Sequence, residues 1–126
     1  MWLRFIDDMF IIWNGTKTEF DRYFQTLNNN DTGLQFTYES SGTEIVLLDT
    51  KIYISKNCMH TTLYRKPTVT NAVLHATSHH SKTLVWSIPF GELLRAKHNC
   101  SSSESYLAEE TTIISRFRER GYPQRV

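Results

Sequence analysis

Short apolar runs separated by polar residues dominate the start of the chain. Residues 2–6 and 9–13 are mostly apolar and rich in β-branched and aromatic types, and Asp7 and Asp8 lie between them. Such runs favour strands, whereas Asp is a poor strand residue and a good turn residue. The pattern predicts a β-hairpin with both acids at its tip.

A helical period follows the hairpin. Four apolar positions recur at i, i+3, i+4 and i+7 spacing, namely Phe20, Tyr23, Phe24 and Leu27. Thr16 or Thr18 is a suitable N-cap for such a helix. The polar residues 28–33 end the pattern, so we expect one amphipathic helix that stops near Leu27.

Strand patterns return in the next part of the chain. Residues 34–38 alternate between apolar and polar types, as a half-buried strand does, and residues 45–54 predict a longer strand. A turn at residues 56–57 and a returning strand over residues 59–65 complete a hairpin, which Pro67 stops. The first 65 residues therefore predict the element order ββαβββ.

The remaining residues favour helices. Residues 67–81 are the least regular stretch, and we expect them to be a linker between two subdomains. Beyond it, three helices are predicted: about 82–87, from Pro89 to about Asn99, and about 101–120. The last helix opens with the capping box Ser101-x-x-Glu104 and stops at Gly121 and Pro123.

These elements predict an α+β fold in two parts. Residues 1–66 form the strand-rich part, and residues 82–126 form a compact bundle of three helices. A chain of 126 residues is long enough for one modest core or two small subdomains.

Charge is distributed unevenly between the two ends of the chain. Residues 1–55 hold eight acids and four Lys or Arg, a balance of −4, whereas residues 56–126 hold five acids and ten Lys or Arg, a balance of +5. An acidic part joined to a basic part suits a protein that handles phosphate backbones. The alternative is a solvated surface with uneven charge.

The acidic pair at the hairpin tip is the first candidate site. Two carboxylates on an otherwise apolar hairpin offer oxygen ligands to a hard divalent cation such as Mg²⁺. Two-ion phosphoryl-transfer sites use such acids to bind the attacking and leaving oxygens. Asp7 and Asp8 are therefore the candidate catalytic and metal-binding residues. An isolated Asp-Asp pair is more often a solvated turn.

A family resemblance adds weight to this interpretation. The run Arg4-Phe5-Ile6-Asp7-Asp8 and its apolar continuation resemble the metal-binding hairpin in the palm of Penelope-like retroelement reverse transcriptases. Further blocks resemble the same family in its order: Leu47-Leu48-Asp49, Tyr64-Arg65-Lys66-Pro67-Thr68 with Thr70-Asn71, Leu74-His75-Ala76, Ser87-Ile88-Pro89-Phe90-Gly91 and Arg118-Glu119-Arg120-Gly121-Tyr122-Pro123. Together they cover nearly the whole chain.

The resemblance implies a fold and an activity. Residues 1–66 would be the C-terminal half of the palm, and residues 82–126 a helical thumb. The complete enzyme would extend a DNA primer on an RNA template with Mg²⁺, with Asp7 binding both ions and Asp8 supporting the site. The family also needs an upstream acid and a nucleotide-binding segment, so we expect this piece to be inactive by itself.

Four cations are the candidate nucleic-acid contacts. Arg65 and Lys66 follow the second hairpin, which resembles the region that supports the primer end, and basic residues there suit phosphate contacts. Arg95 and Lys97 lie on the predicted helix after Pro89. These helices also fit a helix-turn-helix-like module, which would bind nucleic acid without catalysis. A plain interaction domain of retroelement origin is the third possibility.

Other chemistry has weaker support. His75 and His79 have ligand-like spacing, but His98-x-Cys100 is a poor zinc pair, so histidines at the surface are the favoured interpretation. Cys58 and Cys100 are far apart in sequence and indicate free thiols in a reducing compartment. No signal peptide or membrane span is recognisable. We expect an intracellular protein, nuclear or cytoplasmic, that has no membrane partner.

Overall fold

The computed structural model describes residues 1–123 and has an α+β fold with three helices and two small antiparallel sheets. The chain divides between Gly42 and Thr43 into two compact units, each of which is described by itself. The α+β class predicted from the sequence is confirmed.

The N-terminal unit begins with the predicted hairpin. Strand β1 (Trp2–Phe5) pairs with strand β2 (Asp8–Ile11), with Phe5 opposite Asp8. The two turn residues are Ile6 and Asp7, and Ile6 has a φ of 52°. Asp8 is therefore the first residue of β2, so only one of the two acids lies in the turn itself. A two-residue hairpin turn accounts for this shift, because it needs a positive φ at one or both central positions.

Helix α1 (Lys17–Asn28) follows, and local capping explains its start. The Thr16 side chain accepts a hydrogen bond from Glu19 N at 3.3 Å, and Glu19 Oε2 accepts one from Thr16 N at 2.7 Å. This reciprocal capping box confirms Thr16 as the N-cap. Trp13 stacks on Tyr23, with ring centroids 5.7 Å apart, and so packs the helix against the residues after the hairpin.

The strand expected over residues 34–38 is absent from the structure. The Asn28 side chain instead bonds both backbone groups of Phe36: Oδ1 accepts from Phe36 N at 2.7 Å, and Nδ2 donates to Phe36 O at 3.0 Å. A side chain thus replaces the neighbouring strand that this segment would need. The alternation alone did not reveal this partner.

The second unit opens with a three-stranded meander in the order β3-β4-β5: β3 (Glu44–Leu47), β4 (Thr50–Ser55) and β5 (Cys58–Leu63). The single strand predicted over residues 45–54 is wrong, because the chain turns at Leu48 and Asp49. Leu48 has a φ of 56°, and no Gly or Asn marks the turn. The turn predicted at residues 56–57 is confirmed.

Two helices complete this unit: α2 (Lys82–Asn99) and α3 (Ser103–Glu119). The predicted break at Pro89 is wrong, since α2 runs through it, so the expected bundle of three helices contains two. The N-cap of α3 is Ser102, one residue later than the predicted capping box, and its Oγ accepts a hydrogen bond from Ser105 N at 3.1 Å.

A hydroxyl from beyond α3 compensates for the proline. Pro89 has no N–H to donate to the carbonyl of Val85, four residues earlier. The Tyr122 hydroxyl donates to that carbonyl oxygen at 3.2 Å. Burial raises the pKa of Tyr122, which keeps the hydroxyl protonated as a donor. The helix therefore continues through Pro89 because a distant residue satisfies its orphan carbonyl.

The core of the second unit lies between α2 and α3. Its buried members are Val85, Ala96, Ile113, Phe117 and Tyr122. Residues Val73, Leu74 and Ala76, which belong to the stretch expected to be a linker over 67–81, pack against this core. That stretch is therefore attached to the helices, whereas the division into compact units falls between Gly42 and Thr43.

The turn between α2 and α3 covers the outer edge of β5. Ser101 N donates to Thr61 O at 3.0 Å, and Thr61 N donates to Ser101 Oγ at 2.9 Å. One residue thus satisfies both edge groups of Thr61, which would otherwise be available for pairing with another chain. These bonds fix the helical hairpin on the sheet.

Candidate nucleic-acid interface

Both acids of the candidate metal site are solvent-exposed. Asp7 lies in the hairpin turn and Asp8 opens β2. Within residues 1–123, no group of three or more acidic, His or Cys side chains is arranged to hold a metal ion. The hairpin thus offers the carboxylates of Asp7 and Asp8 as ligands to a cation. Full metal cages usually require more ligands.

Arg65 is held within the second unit. Its Nη1 forms an ion pair with Glu109 Oε2 of α3, and the two side chains are only 21% and 18% exposed. Its Nη2 is buried and has no hydrogen-bond partner in the described part of the chain. A guanidinium in this position ties the end of β5 to α3, and little of it faces solvent.

Arg95 is also paired. Its Nε and Nη2 each lie 2.6 Å from Asp49 Oδ2, and its Nη1 lies 3.2 Å from Glu92 Oε1. Asp49 is in the turn between β3 and β4, so this contact fastens α2 to the sheet. The Arg95 side chain is 43% exposed and is neutralised by two carboxylates.

Lys66 and Lys97 differ from these arginines. Both are exposed, and neither side chain forms a hydrogen bond or an ion pair with any of residues 1–123. Lys66 follows the end of β5, and Lys97 lies in the last turn of α2. Of the four cations predicted as phosphate contacts, these two keep their charge available to a ligand.

The segment before α2 is bonded to the end of α3. Asn71 Nδ2 donates to Arg116 O at 2.8 Å and to Glu119 Oε2 at 2.9 Å, and Arg120 Nη2 donates to Asn71 O. Ala76 N also donates to Arg120 O at 2.9 Å. The Arg120 side chain is therefore engaged in a hydrogen bond within the fold. Together these contacts hold residues 71–76 against the end of α3.

Sequence reasoning missed two exposed aromatic side chains of α2. Trp86 is 44% exposed and Phe90 is 67% exposed, and they lie one turn apart on the helix. The sequence pattern assigns them to different helices, because Pro89 predicts a break between them. Continuous helical spacing across Pro89 is the signal that would have joined them.

Within residues 1–123, no helix is both long enough and apolar enough to cross a bilayer.

Comparison with known proteins identifies the helical part alone. Neither the curated proteins nor the solved structures contain a match to the chain. Residues 72–126 match the family described as the animal helix-turn-helix domain. Helix α2, the connection at residues 100–102 and helix α3 lie within this match. The C-terminal part of the chain is therefore a helix-turn-helix-like region.

Proposed function

We propose that the helix-turn-helix-like region binds nucleic acid through the phosphate backbone, without catalysis. The observation that carries this proposal is the family match over residues 72–126, because helix-turn-helix modules commonly bind nucleic acid. The proposed phosphate contacts are Lys97, in this region, and Lys66, which precedes the region in the same compact unit, because their side chains are exposed and unpaired within the described residues. Such a function implies an intracellular protein, nuclear or cytoplasmic.

Arg65 and Arg95 have a supporting role in this proposal. Each is engaged by a carboxylate of the second unit, Arg65 by Glu109 and Arg95 by Asp49. A phosphate would have to replace those carboxylates to bind either guanidinium. The two arginines therefore hold β5, α2 and α3 together, while Lys66 and Lys97 contact the phosphates of the ligand.

Backbone binding is favoured over base reading. In helix-turn-helix proteins the second helix enters the major groove with its N-terminal residues at the base edges. Here the first half of α3 contains Glu104, Glu109 and Glu110 and no Lys or Arg. Carboxylates in that position repel phosphates, and lysines act as point charges that do not specify bases.

A charge-removal series tests the proposal. Binding of the full chain to labelled oligonucleotides is measured at 50 mM salt for Lys66→Gln, Lys97→Gln and the control Lys56→Gln. Lys56 is also exposed, but it lies at the opposite end of β5 from Lys66. Weaker binding in the first two variants and unchanged binding in the control support the proposal, whereas equal effects in all three contradict it.

The N-terminal hairpin supports a second candidate function. We propose that Asp7 and Asp8 bind Mg²⁺ as part of a retroelement reverse-transcriptase palm, whose partners would be an RNA template and a DNA primer. The supporting observation is that a two-residue turn brings both acids to one end of a hairpin, as the family resemblance requires. In this function residues 1–66 would supply part of a polymerase site.

Metal titration tests the second candidate separately. Mn²⁺, a paramagnetic substitute for Mg²⁺, should broaden the amide NMR signals of residues 5–9 in the full chain, and Asp7→Asn with Asp8→Asn should abolish the broadening. Broadening that is unchanged in the double variant contradicts the metal site. It leaves the proposed nucleic-acid binding of the second unit untouched.

A further inference from the structure

We propose that one exposed side of α2 binds single-stranded nucleic acid by stacking bases on two aromatic rings. This inference rests on the proposed nucleic-acid-binding function and adds the class of ligand. The surface consists of Lys82, Trp86, Phe90 and Lys97, and is called the α2 stacking surface below.

Helical geometry brings these four residues together. They occupy positions i, i+4, i+8 and i+15 of a helix that runs without a break through Pro89. At 3.6 residues per turn, the four positions fall within an arc of about 80°. All four are exposed, and the residues Trp86 and Phe90 are 44% and 67% exposed.

Cations lie at both ends of the α2 stacking surface. Neither Lys82 nor Lys97 is paired with a described residue. The one acid in α2, Glu92, is bonded to Arg95. The two lysines lie about 22 Å apart along the helix, at 1.5 Å per residue. A helix surface that has a cation at each end and no unpaired acid is more complementary to a polyanion than to the apolar surface of another protein.

A third cation comes from α3. Arg118 is exposed and lines a small apolar cavity between the two helices, together with Pro89 and Leu93. Both of these residues are neighbours of Phe90 on α2, one immediately before it and one a turn later. Arg118 thus adds positive charge at the junction of α2 and α3, next to Leu93, which falls within the arc of the α2 stacking surface.

The Trp86 ring is held in place by the core. It packs edge-on against Tyr122, with ring centroids 5.7 Å apart, and Tyr122 is only 4% exposed. The hydroxyl of Tyr122 is in turn bonded to Val85 O, next to Trp86 in the chain. A ring that is fixed on one side and open on the other loses little further freedom when a base stacks on it.

The ligand class follows from this arrangement. Bases in a duplex are already stacked on each other, whereas the bases of a single strand are free to stack on protein rings. Trp86 and Phe90 are separated by about 6 Å along the helix axis, a spacing that suits two successive bases. Stacking of this kind tolerates any sequence, because every base has a π-face.

The test compares a single-stranded oligonucleotide with its duplex, using the full chain and fluorescence anisotropy. Phe90→Ala should weaken single-strand binding about tenfold, which corresponds to ~1.4 kcal/mol of stacking, and should change duplex binding less than about twofold. Leu107→Ala is the control, since Leu107 is 57% exposed on α3. Quenching of tryptophan fluorescence by the single strand should be reduced in Trp86→Phe.

Four outcomes are decisive. Selective loss of single-strand binding in Phe90→Ala, with Leu107→Ala unchanged, supports the α2 stacking surface. Binding by Phe90→Ala that equals the unaltered protein, or an equal loss on both ligands, overturns the surface and leaves backbone binding in place. Absence of binding to both ligands overturns the proposed function itself.

Discussion

The Tyr122 hydroxyl donates a hydrogen bond to the carbonyl oxygen of Val85 at 3.2 Å, in the position that Pro89 leaves without a helical donor. Val85 and Tyr122 are 2% and 4% exposed, so no solvent replaces this bond. The contact joins the residues after α3 to the first half of α2. It also keeps the helix that carries Trp86 and Phe90 continuous.

The first prediction concerns this bond. Tyr122→Phe leaves the buried Val85 carbonyl unsatisfied and should lower the free energy of unfolding by about 1–3 kcal/mol. Tyr106→Phe is the control, because the Tyr106 hydroxyl donates to Glu110, an acid that solvent can reach. Urea unfolding of both variants measures the difference.

A double-mutant cycle isolates the role of the proline. Pro89→Ala restores an N–H that can donate to Val85 O. Tyr122→Phe should therefore cost at least about 1 kcal/mol less in the Pro89→Ala background than in the original protein. Additive effects would show that Tyr122 does not substitute for the missing helical bond.

Helix α1 and helix α2 illustrate what the sequence can predict. The capping residues and the apolar spacing of α1 are all local, so the sequence predicts an end near Leu27, one residue before the observed end, and an N-cap at Thr16 or Thr18, of which the structure has Thr16. The continuation of α2 through Pro89 depends on Tyr122, which lies 33 positions later in the chain. A local pattern contains no information about such a distant donor.

The candidate nucleic-acid contacts also divide into features that the sequence predicts and features that depend on tertiary packing. The sequence predicts Lys66 and Lys97 as phosphate contacts from their charge, from the place of Lys66 after the second hairpin and from the exposed helix face expected for Lys97. Arg65 forms an ion pair with Glu109, and Arg95 forms one with Asp49. These pairs depend on how β5 and the β3–β4 turn pack against the helices. The turn at Leu48 also escaped prediction, because a positive φ at a leucine has no sequence signal.

The second prediction concerns the Arg65–Glu109 ion pair. Glu109→Gln leaves a largely buried guanidinium without its counter-charge and should destabilise the protein by about 1.5–3 kcal/mol. Glu92→Gln is the matched control at the more exposed Arg95, which keeps Asp49, and should cost less than about 1 kcal/mol. Thermal unfolding compares the two variants. Equal shifts in Tm would contradict the structural role given to Arg65.

The third prediction concerns the protected edge of β5. Ser101→Ala removes the Oγ that accepts from Thr61 N, so the Thr61 amide should exchange its hydrogen about tenfold faster, which corresponds to a bond of ~1.4 kcal/mol. Ser103→Ala, two residues later at the start of α3, is the control. Hydrogen exchange followed by NMR makes the measurement. Unchanged exchange at Thr61 would show that the turn does not cover this edge.

The fourth prediction concerns pH. Hydrogen bonds from the Thr16 backbone and side chain lower the pKa of Glu19, and the Tyr38 hydroxyl with Lys17 lowers the pKa of Asp21. A depressed folded-state pKa contributes stability that is present above the unfolded-state pKa and is lost as pH falls through the folded-state pKa. Helix α1 should therefore weaken below about pH 4.

NMR follows this transition in the N-terminal unit. The Thr16 amide signal should move with the protonation of Glu19, and Glu19→Gln should remove that movement while leaving the Asp21 titration in place. A Thr16 signal that shifts equally in Glu19→Gln would contradict the capping role of Glu19.

The most direct test of nucleic-acid backbone binding is the salt dependence of the binding constant. Binding of the full chain to a single-stranded oligonucleotide is measured between 50 and 200 mM salt, beside Lys97→Gln. Each phosphate contact releases counterions, so the logarithm of the binding constant should fall linearly with the logarithm of salt concentration. Loss of Lys97 should make that slope shallower by about 0.7. Binding that does not respond to salt, or an identical slope in Lys97→Gln, would contradict the account.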